Sequence, residues 1–250
     1  MRATFPFTTL EEFLFWEDRP AYPWCCFMRL RLSVQPARPA FEAAAREALK
    51  RHPLLSAKAR MRGRTRVEWV VQDNPQPLIT WESGPVGGPF PPATHLDLLR
   101  EIGLRFHLVT DGARCDLTIQ WHHACCDGVG MLTFIEDLLI AYALAWGTAS
   151  DDLRRPALDP ERLVRRGRFG LEPGPLVRTV WKQAAGLVGV GKFLGRTPTP
   201  VLPHRPHADE DPLPAEYPAV LSGTLEAAEP ARLRRTEAQR KVRFNDLMSA

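Results

Sequence analysis

Between positions 122 and 130 the chain reads HHACCDGVG, with two histidines, two cysteines and an aspartate in the first six residues. An imidazole, whose ordinary pKa is about 6.5, can accept a proton near neutral pH, so a general base is one chemistry this stretch could supply. Histidine and cysteine are also zinc ligands, and a cysteine of lowered pKa is a nucleophile. A fourth reading needs no chemistry at all, with these side chains simply filling a buried strand.

Spacing separates these readings. If Cys115 to His123 is a strand, Leu117, Ile119, Trp121 and His123 share one face and Thr118, Gln120 and His122 the other. The two imidazoles then diverge, and a metal site using both would have to break the strand. His123 closes that strand just before a loop and a long helix, where α/β folds deliver reactive side chains into a crevice. Asp127 can cap the helix or pair with a buried arginine, and Gly128 removes a side chain where backbone or ligand must come close. Zinc is the weaker reading: Cys125 and Cys126 are adjacent, no CxxC partner exists elsewhere, and Cys25-Cys26 is another adjacent pair. No electropositive surroundings mark either Cys125 or Cys126 as a nucleophile, so both read as small core or loop residues.

The elements that must position these groups can be read from pattern. Thr8 to Asp18 reads as a short helix with a threonine cap and acids in its first turn. Cys25 to Val34 is strand-like. The stretch PAFEAAAREALKRHPLL puts Phe41, Ala44, Ala45, Ala48 and Leu49 on one helical face, with Pro53 as the stop. SAKARMRG and TRVEWVVQD form a hairpin about Gly63-Arg64, PLITWES is a further strand, and GPVGGPFPPATH is a loop. Asp111-Gly112 turns LRFHLVT into RCDLTIQWHH. Gly128 to Trp146 is a helix with Leu132, Ile135, Leu138, Leu139 and Tyr142 at helical spacing.

The four fixed positions His122, His123, Asp127 and Gly128 resemble the HHxxxDG motif of the condensation-domain and chloramphenicol-acetyltransferase-like acyltransferase superfamily. ALKRHPLL resembles that family's early helix end, GLRFHLV the strand before the motif, and DGVGMLTFIEDLLIAYA the helix after it. RHP leans towards the wax-ester synthase and alcohol acyltransferase branches. The resemblance implies an α/β sandwich, a mixed β-sheet with flanking helices, whose second lobe is only begun by RFNDLMSA. It implies an acyltransferase in which His123 deprotonates an alcohol or amine acceptor that attacks a thioester donor, coenzyme A or carrier-bound. His122, Asp127 and Gly128 would be scaffold, with Arg60 and Arg105 as candidate cations for Asp127. A nonribosomal-peptide condensation module and an inactive binding or interaction remnant are the alternatives. No cofactor or metal is implied.

Composition bounds the rest. At 250 residues, 44% hydrophobic and 25% charged, the chain can bury a sizeable core. The net charge of +4 is mild and its basic runs are interleaved with acids, which argues against nucleic acid. No secretory signal and no run of 18 uninterrupted apolar residues is present, and the five cysteines fit a reducing cytoplasm. The expected organisation is an acyltransferase-like lobe over 1–146, a proline-rich crossover over 147–216 that forms no packed layer, and the start of a truncated lobe over 217–250. VRTVWKQAAGLVGVGKFL could rest on a membrane surface, though packing on its own domain is the simpler reading. Family members are far longer, so a missing C-terminal half or a homodimer would complete the site.

Overall fold

The computed structural model describes residues 3–91, 95–148, 160–168, 195 and 229–240. Seven strands form two sheets. A three-stranded antiparallel sheet has the order β1 (Thr4–Pro6), β4 (Arg66–Val71), β3 (Ala57–Arg62). A four-stranded mixed sheet has the order β2 (Cys25–Leu32), β7 (Cys115–His122), β6 (Leu104–Thr110), β5 (Leu78–Ser83), with β5 parallel to β6 and the other pairs antiparallel. Strand β1 carries no sequence signal, being three residues long and lacking alternation; its partner β4 defines it.

The helices form where their caps and faces allow. Thr8 caps α1 (Thr9–Glu17) in a capping box with Glu11. Helix α2 (Arg38–Leu49) buries Phe41, Ala44, Ala45, Ala48 and Leu49, the face its spacing gives. Helix α3 (Gly128–Trp146) packs on α2, and both lie on one face of the mixed sheet: Phe106 of β6 meets Phe41 at 5.6 Å and Phe134 at 6.2 Å between ring centres. The face of α3 is rotated from the sequence expectation. Met131, Phe134, Ile135, Leu138 and Ala141 are buried, whereas Leu132 and Leu139 are exposed at 57% and 44%. The helix is apolar nearly all round, so periodicity alone does not fix its inner face. By length and composition α3 could cross a membrane. Its inner face instead packs on protein and carries Asp137, paired with Arg51 and His52 of the α2 end, as a core helix does.

Both expected hairpins are present, with Gly63 and Gly112 at φ of 72° and 92°, where a side chain would be strained. All eight residues of β7 are buried. Leu117, Ile119 and Trp121 turn towards the helices. The opposite face is closed by the loop after β5, where Asp116 accepts from Arg31 Nε at 2.8 Å and from the Gly87 amide at 2.6 Å.

The crossover differs from expectation at 160–168, which packs on the lobe as α4 (Pro160–Arg165) and a short 3-10 turn. Arg166 donates from Nε to Glu11 Oε1 at 2.7 Å and from Nη2 to Glu11 Oε2 at 2.9 Å, and Glu11 Oε2 also takes the buried Trp69 indole N–H at 3.0 Å. Helix α5 (Glu229–Arg240) belongs to a second unit of the chain. The segment VRTVWKQAAGLVGVGKFL and the RFNDLMSA ending lie outside the described residues.

Acid sensitivity follows from the buried titratable groups. Burial holds His52 and His107 below their ordinary 6.5, against the pull of neighbouring hydrogen bonds. The unfolded chain therefore takes up these protons first, so their contribution is complete above pH 6.5 and declines as pH falls through it. Asp116 is held below 3.8, chiefly by its Arg31 hydrogen bond, so its contribution is present above that pH and lost below it. Urea midpoints should fall from pH 7.5 to 5 and again from 5 to 3. A higher midpoint at pH 5 than at 7.5 would contradict this sign.

Candidate active site

Strand β7 ends at His122, one residue earlier than the sequence suggests, and the chain turns at once. The His122 amide donates to the Gly103 carbonyl at 3.0 Å, the His123 amide to the Trp24 carbonyl at 2.8 Å, and the Cys125 amide to the His122 carbonyl at 3.0 Å. Trp121 Nε1 donates to the Cys126 carbonyl at 2.9 Å. Asp127 then caps α3, its Oδ1 accepting the Gly130 amide at 2.7 Å.

These anchors send the two imidazoles to different places. His122 is 1% exposed and faces away from the helices. Its Nδ1 accepts the Ala124 amide at 3.1 Å, so the neutral ring carries its proton on Nε2, which stands 3.3 Å from Asp18 Oδ2. That contact is electrostatic rather than a well-formed hydrogen bond, since Nε2 has no acceptor in bonding geometry. His123 is half-buried and lines a cavity of about 920 Å³. Among the described residues its ring makes no hydrogen bond or ion pair.

The cavity runs between the start of α1, the Lys50–Leu55 turn, the His123–Asp127 loop and the α4 region. Leu10, Leu14, Leu54, Leu55, Leu163 and Val164 make its walls largely apolar. Its polar groups are Thr8, the Glu11–Arg166 pair, Lys50, Arg51, His52, His123, Asp127 and Thr133. Such a space suits a ligand with an apolar body and one reacting polar group.

Several expectations change here. Asp127 is exposed and serves as a helix cap; among the described residues no arginine pairs with it. Arg60 instead pairs with Glu68, and Arg105 with Glu101 at 2.9 Å. The Arg51 and His52 side chains beside the cavity go to Asp137 Oδ2, each at 2.9 Å. Gly128 is not the point of close approach, because a Cβ there would meet nothing within 4 Å. Gly103 and Gly130 are: a Cβ on Gly103 would run into Cys125 Sγ, and one on Gly130 would lie 2.7 Å from Cys126 Sγ. Gly103→Ala should therefore destabilise the protein by about 1–3 kcal/mol through overpacking. Gly128→Ala should stay within about 0.5 kcal/mol of the parent. Urea melts of the two variants check the contrast, and the reverse order would contradict it.

The cysteines are placed for packing. Burial raises the Cys125 thiol well above its ordinary range, and burial with the neighbouring Asp127 charge pushes Cys126 up to about 12. Neither is a thiolate at neutral pH. Among the described residues no three histidine, cysteine, aspartate or glutamate side chains converge as a metal site. Sequence reasoning missed Asp18, His95 and Asp137. Asp18 sits at a helix end among ordinary surface residues, and only the fold brings it to His122.

No protein-family model matches the sequence, and no curated protein is significantly similar to it. Solved structures do match by fold. The X-domain from teicoplanin biosynthesis superposes with a TM-score of 0.54 at 21% identity, over 71% of this chain and 42% of that one. The SgcC5 protein from Streptomyces globisporus, in complex with (R)-(-)-1-(2-naphthyl)-1,2-ethanediol and sucrose, gives 0.57 at 19% identity, over 72% and 45%. The first condensation domain of the CDA synthetase gives 0.53 at 18% identity, over 66% and 45%. At these identities the likeness is one of fold: about two-thirds of the chain has the condensation-domain, chloramphenicol-acetyltransferase-like α/β architecture. The chain spans less than half the length of each of these structures.

Proposed function

We propose that this condensation-domain-like chain moves an acyl group from a thioester to an alcohol or amine, with His123 as general base. The observation that carries the reading is the divergence of the two histidines. His122 is buried against Asp18, whereas His123 opens, ring unbonded among the described residues, into a largely apolar cavity. In the proposed step an imidazole nitrogen of His123 takes the acceptor proton as the acceptor oxygen or nitrogen bonds to the thioester carbonyl carbon. The tetrahedral adduct then expels the thiolate, which recovers the proton from the imidazolium. Base catalysis of this kind contributes about 10²–10⁴-fold, with more from holding the two reactants together.

The diol in the SgcC5 complex is a hydroxyl-bearing molecule bound by a protein of this fold, which supports an alcohol acceptor. The donor would be carried by coenzyme A or a carrier protein. The chain spans less than half of these structures, and a second lobe like the part it does not cover would supply the facing wall. A second reading, a protein-binding module, is supported by the X-domain of teicoplanin biosynthesis, solved in complex with OxyB. Thiol release from acyl-CoA and from a carrier-bound thioester, across a panel of alcohols and amines, tests the proposal. Acceptor-dependent release is expected with at least one pair. Release unaffected by every acceptor, or none at all, would favour the binding reading.

A further inference from the structure

Asp18, at the carboxyl end of α1, contacts Trp24 and His122, two of the residues that hold the histidine turn. Its Oδ1 accepts the Trp24 amide at 2.7 Å, and the Trp24 carbonyl in turn accepts the His123 amide at 2.8 Å. Its Oδ2 lies 2.6 Å from His95 Nε2 and 3.3 Å from His122 Nε2. The far nitrogen of His122 accepts the Ala124 amide at 3.1 Å, one residue beyond His123. One carboxylate, its side chain only 7% exposed, therefore reaches both sides of His123 in the chain. Burial pushes its pKa up, but the His122 contact, the Trp24 N–H and the histidine charges outweigh that and hold the carboxyl below its ordinary value.

We infer that Asp18 is a positioning residue for His123, fixing the His122 tautomer through Oδ2 and the His123 backbone through Trp24. This role rests on the proposed acyl transfer only for its catalytic consequence; the clamp itself is a statement about the histidine rings. The chemistry explains why the group must be an anion. The Ala124 amide can only donate, so the neutral His122 ring must keep Nδ1 bare and carry its proton on Nε2. The Asp18 carboxylate, 3.3 Å from Nε2, favours that proton by its charge. In Asp18→Asn the amide oxygen can still take the Trp24 N–H, but its NH₂ then faces the proton on His122 Nε2. Moving the His122 proton to Nδ1 would relieve that clash only by opposing the Ala124 amide. Either way one anchor of the turn fails.

The test uses the full chain uniformly labelled with ¹⁵N, at one pH near 7.5. The parent should show His122 with bare Nδ1 and protonated Nε2, with a nitrogen–nitrogen coupling to the Ala124 amide. Asp18→Asn should lose that coupling and shift the His123 ring resonances. Glu17→Gln, at a neighbouring exposed acid paired with Arg19, should change neither. Where acyl transfer is measured, Asp18→Asn should lower kcat by up to about 10²-fold through misplacement, with KM nearly unchanged. A folded Asp18→Asn with parental His122 and His123 spectra would overturn the clamp. Should that variant not fold, the parent spectrum decides: a protonated Nδ1 or no coupling to Ala124 would equally overturn it. Absent thiol release in the parent would remove the acyl-transfer reading, while the same spectra would still decide whether Asp18 clamps the turn.

Discussion

His123→Ala should lower the rate of acceptor-dependent thiol release by about 10²–10⁴-fold, the usual contribution of a general base. The loss should fall on kcat, because the imidazole meets the acceptor proton as the bond forms and contributes little to holding an apolar acyl group. Folding should be untouched: the ring is half-buried and unbonded among the described residues, and the turn is held by the His123 amide rather than its side chain. The leucines that wall the cavity remain in place. His122→Ala is a different experiment, because that ring accepts the Ala124 amide and its loss disturbs the turn itself. Steady-state rates with unchanged circular dichroism check the prediction. A His123→Ala protein within about threefold of the parent would remove the base assignment, since a general base contributes far more than that.

The largest effect on stability should come from Asp137→Ala, at about 3–5 kcal/mol, the cost of removing one partner from a buried ion pair. The carboxylate is 4% exposed on its side chain and receives Arg51 Nε and His52 Nε2, both at 2.9 Å. Arg51 and His52 are themselves only 18% and 16% exposed, so neither gains water readily when the carboxylate goes. The pair ties the end of α2 to the middle of α3 and holds the turn that forms one wall of the cavity. His52 also packs edge-on against Phe134, at 5.2 Å between ring centres, so its displacement would reach the core. Urea unfolding of the variant reads this directly. A loss below about 1 kcal/mol would mean that the α2–α3 contact is carried by its apolar residues alone.

Much of the fold was legible because local chemistry and packing agree. Thr8 with Glu11, the Gly63 and Gly112 turns and the alanine face of α2 each specify their element with short-range signals. What escaped the sequence was set by contacts distant along the chain. Strand β1 exists because β4 pairs with it, and Asp116 is buried in β7 because Arg31 and Gly87 meet it there. The site divides in the same way. The alternation along β7 showed that His122 and His123 diverge, and nothing more was needed to separate them. The partner of His122 was unreadable, since Asp18 lies far away along the chain with no periodicity linking them. Of the two roles the sequence left open for Asp127, helix cap or arginine partner, the structure shows the cap. The two arginines beside the cavity are committed elsewhere, Arg51 to Asp137 and Arg166 to Glu11.

The proposed mechanism is direct transfer between two bound substrates, with no acyl group ever held by the protein. Rapid-quench intact-mass analysis of the full chain, mixed with a thioester donor and an accepted alcohol or amine, tests this most directly. Ester or amide should accumulate with equal free thiol while the protein mass stays unacylated, and the product should form about 10²–10⁴-fold more slowly with His123→Ala. An acylated protein that forms first and chases into product, on a cysteine or on either histidine, would contradict direct transfer.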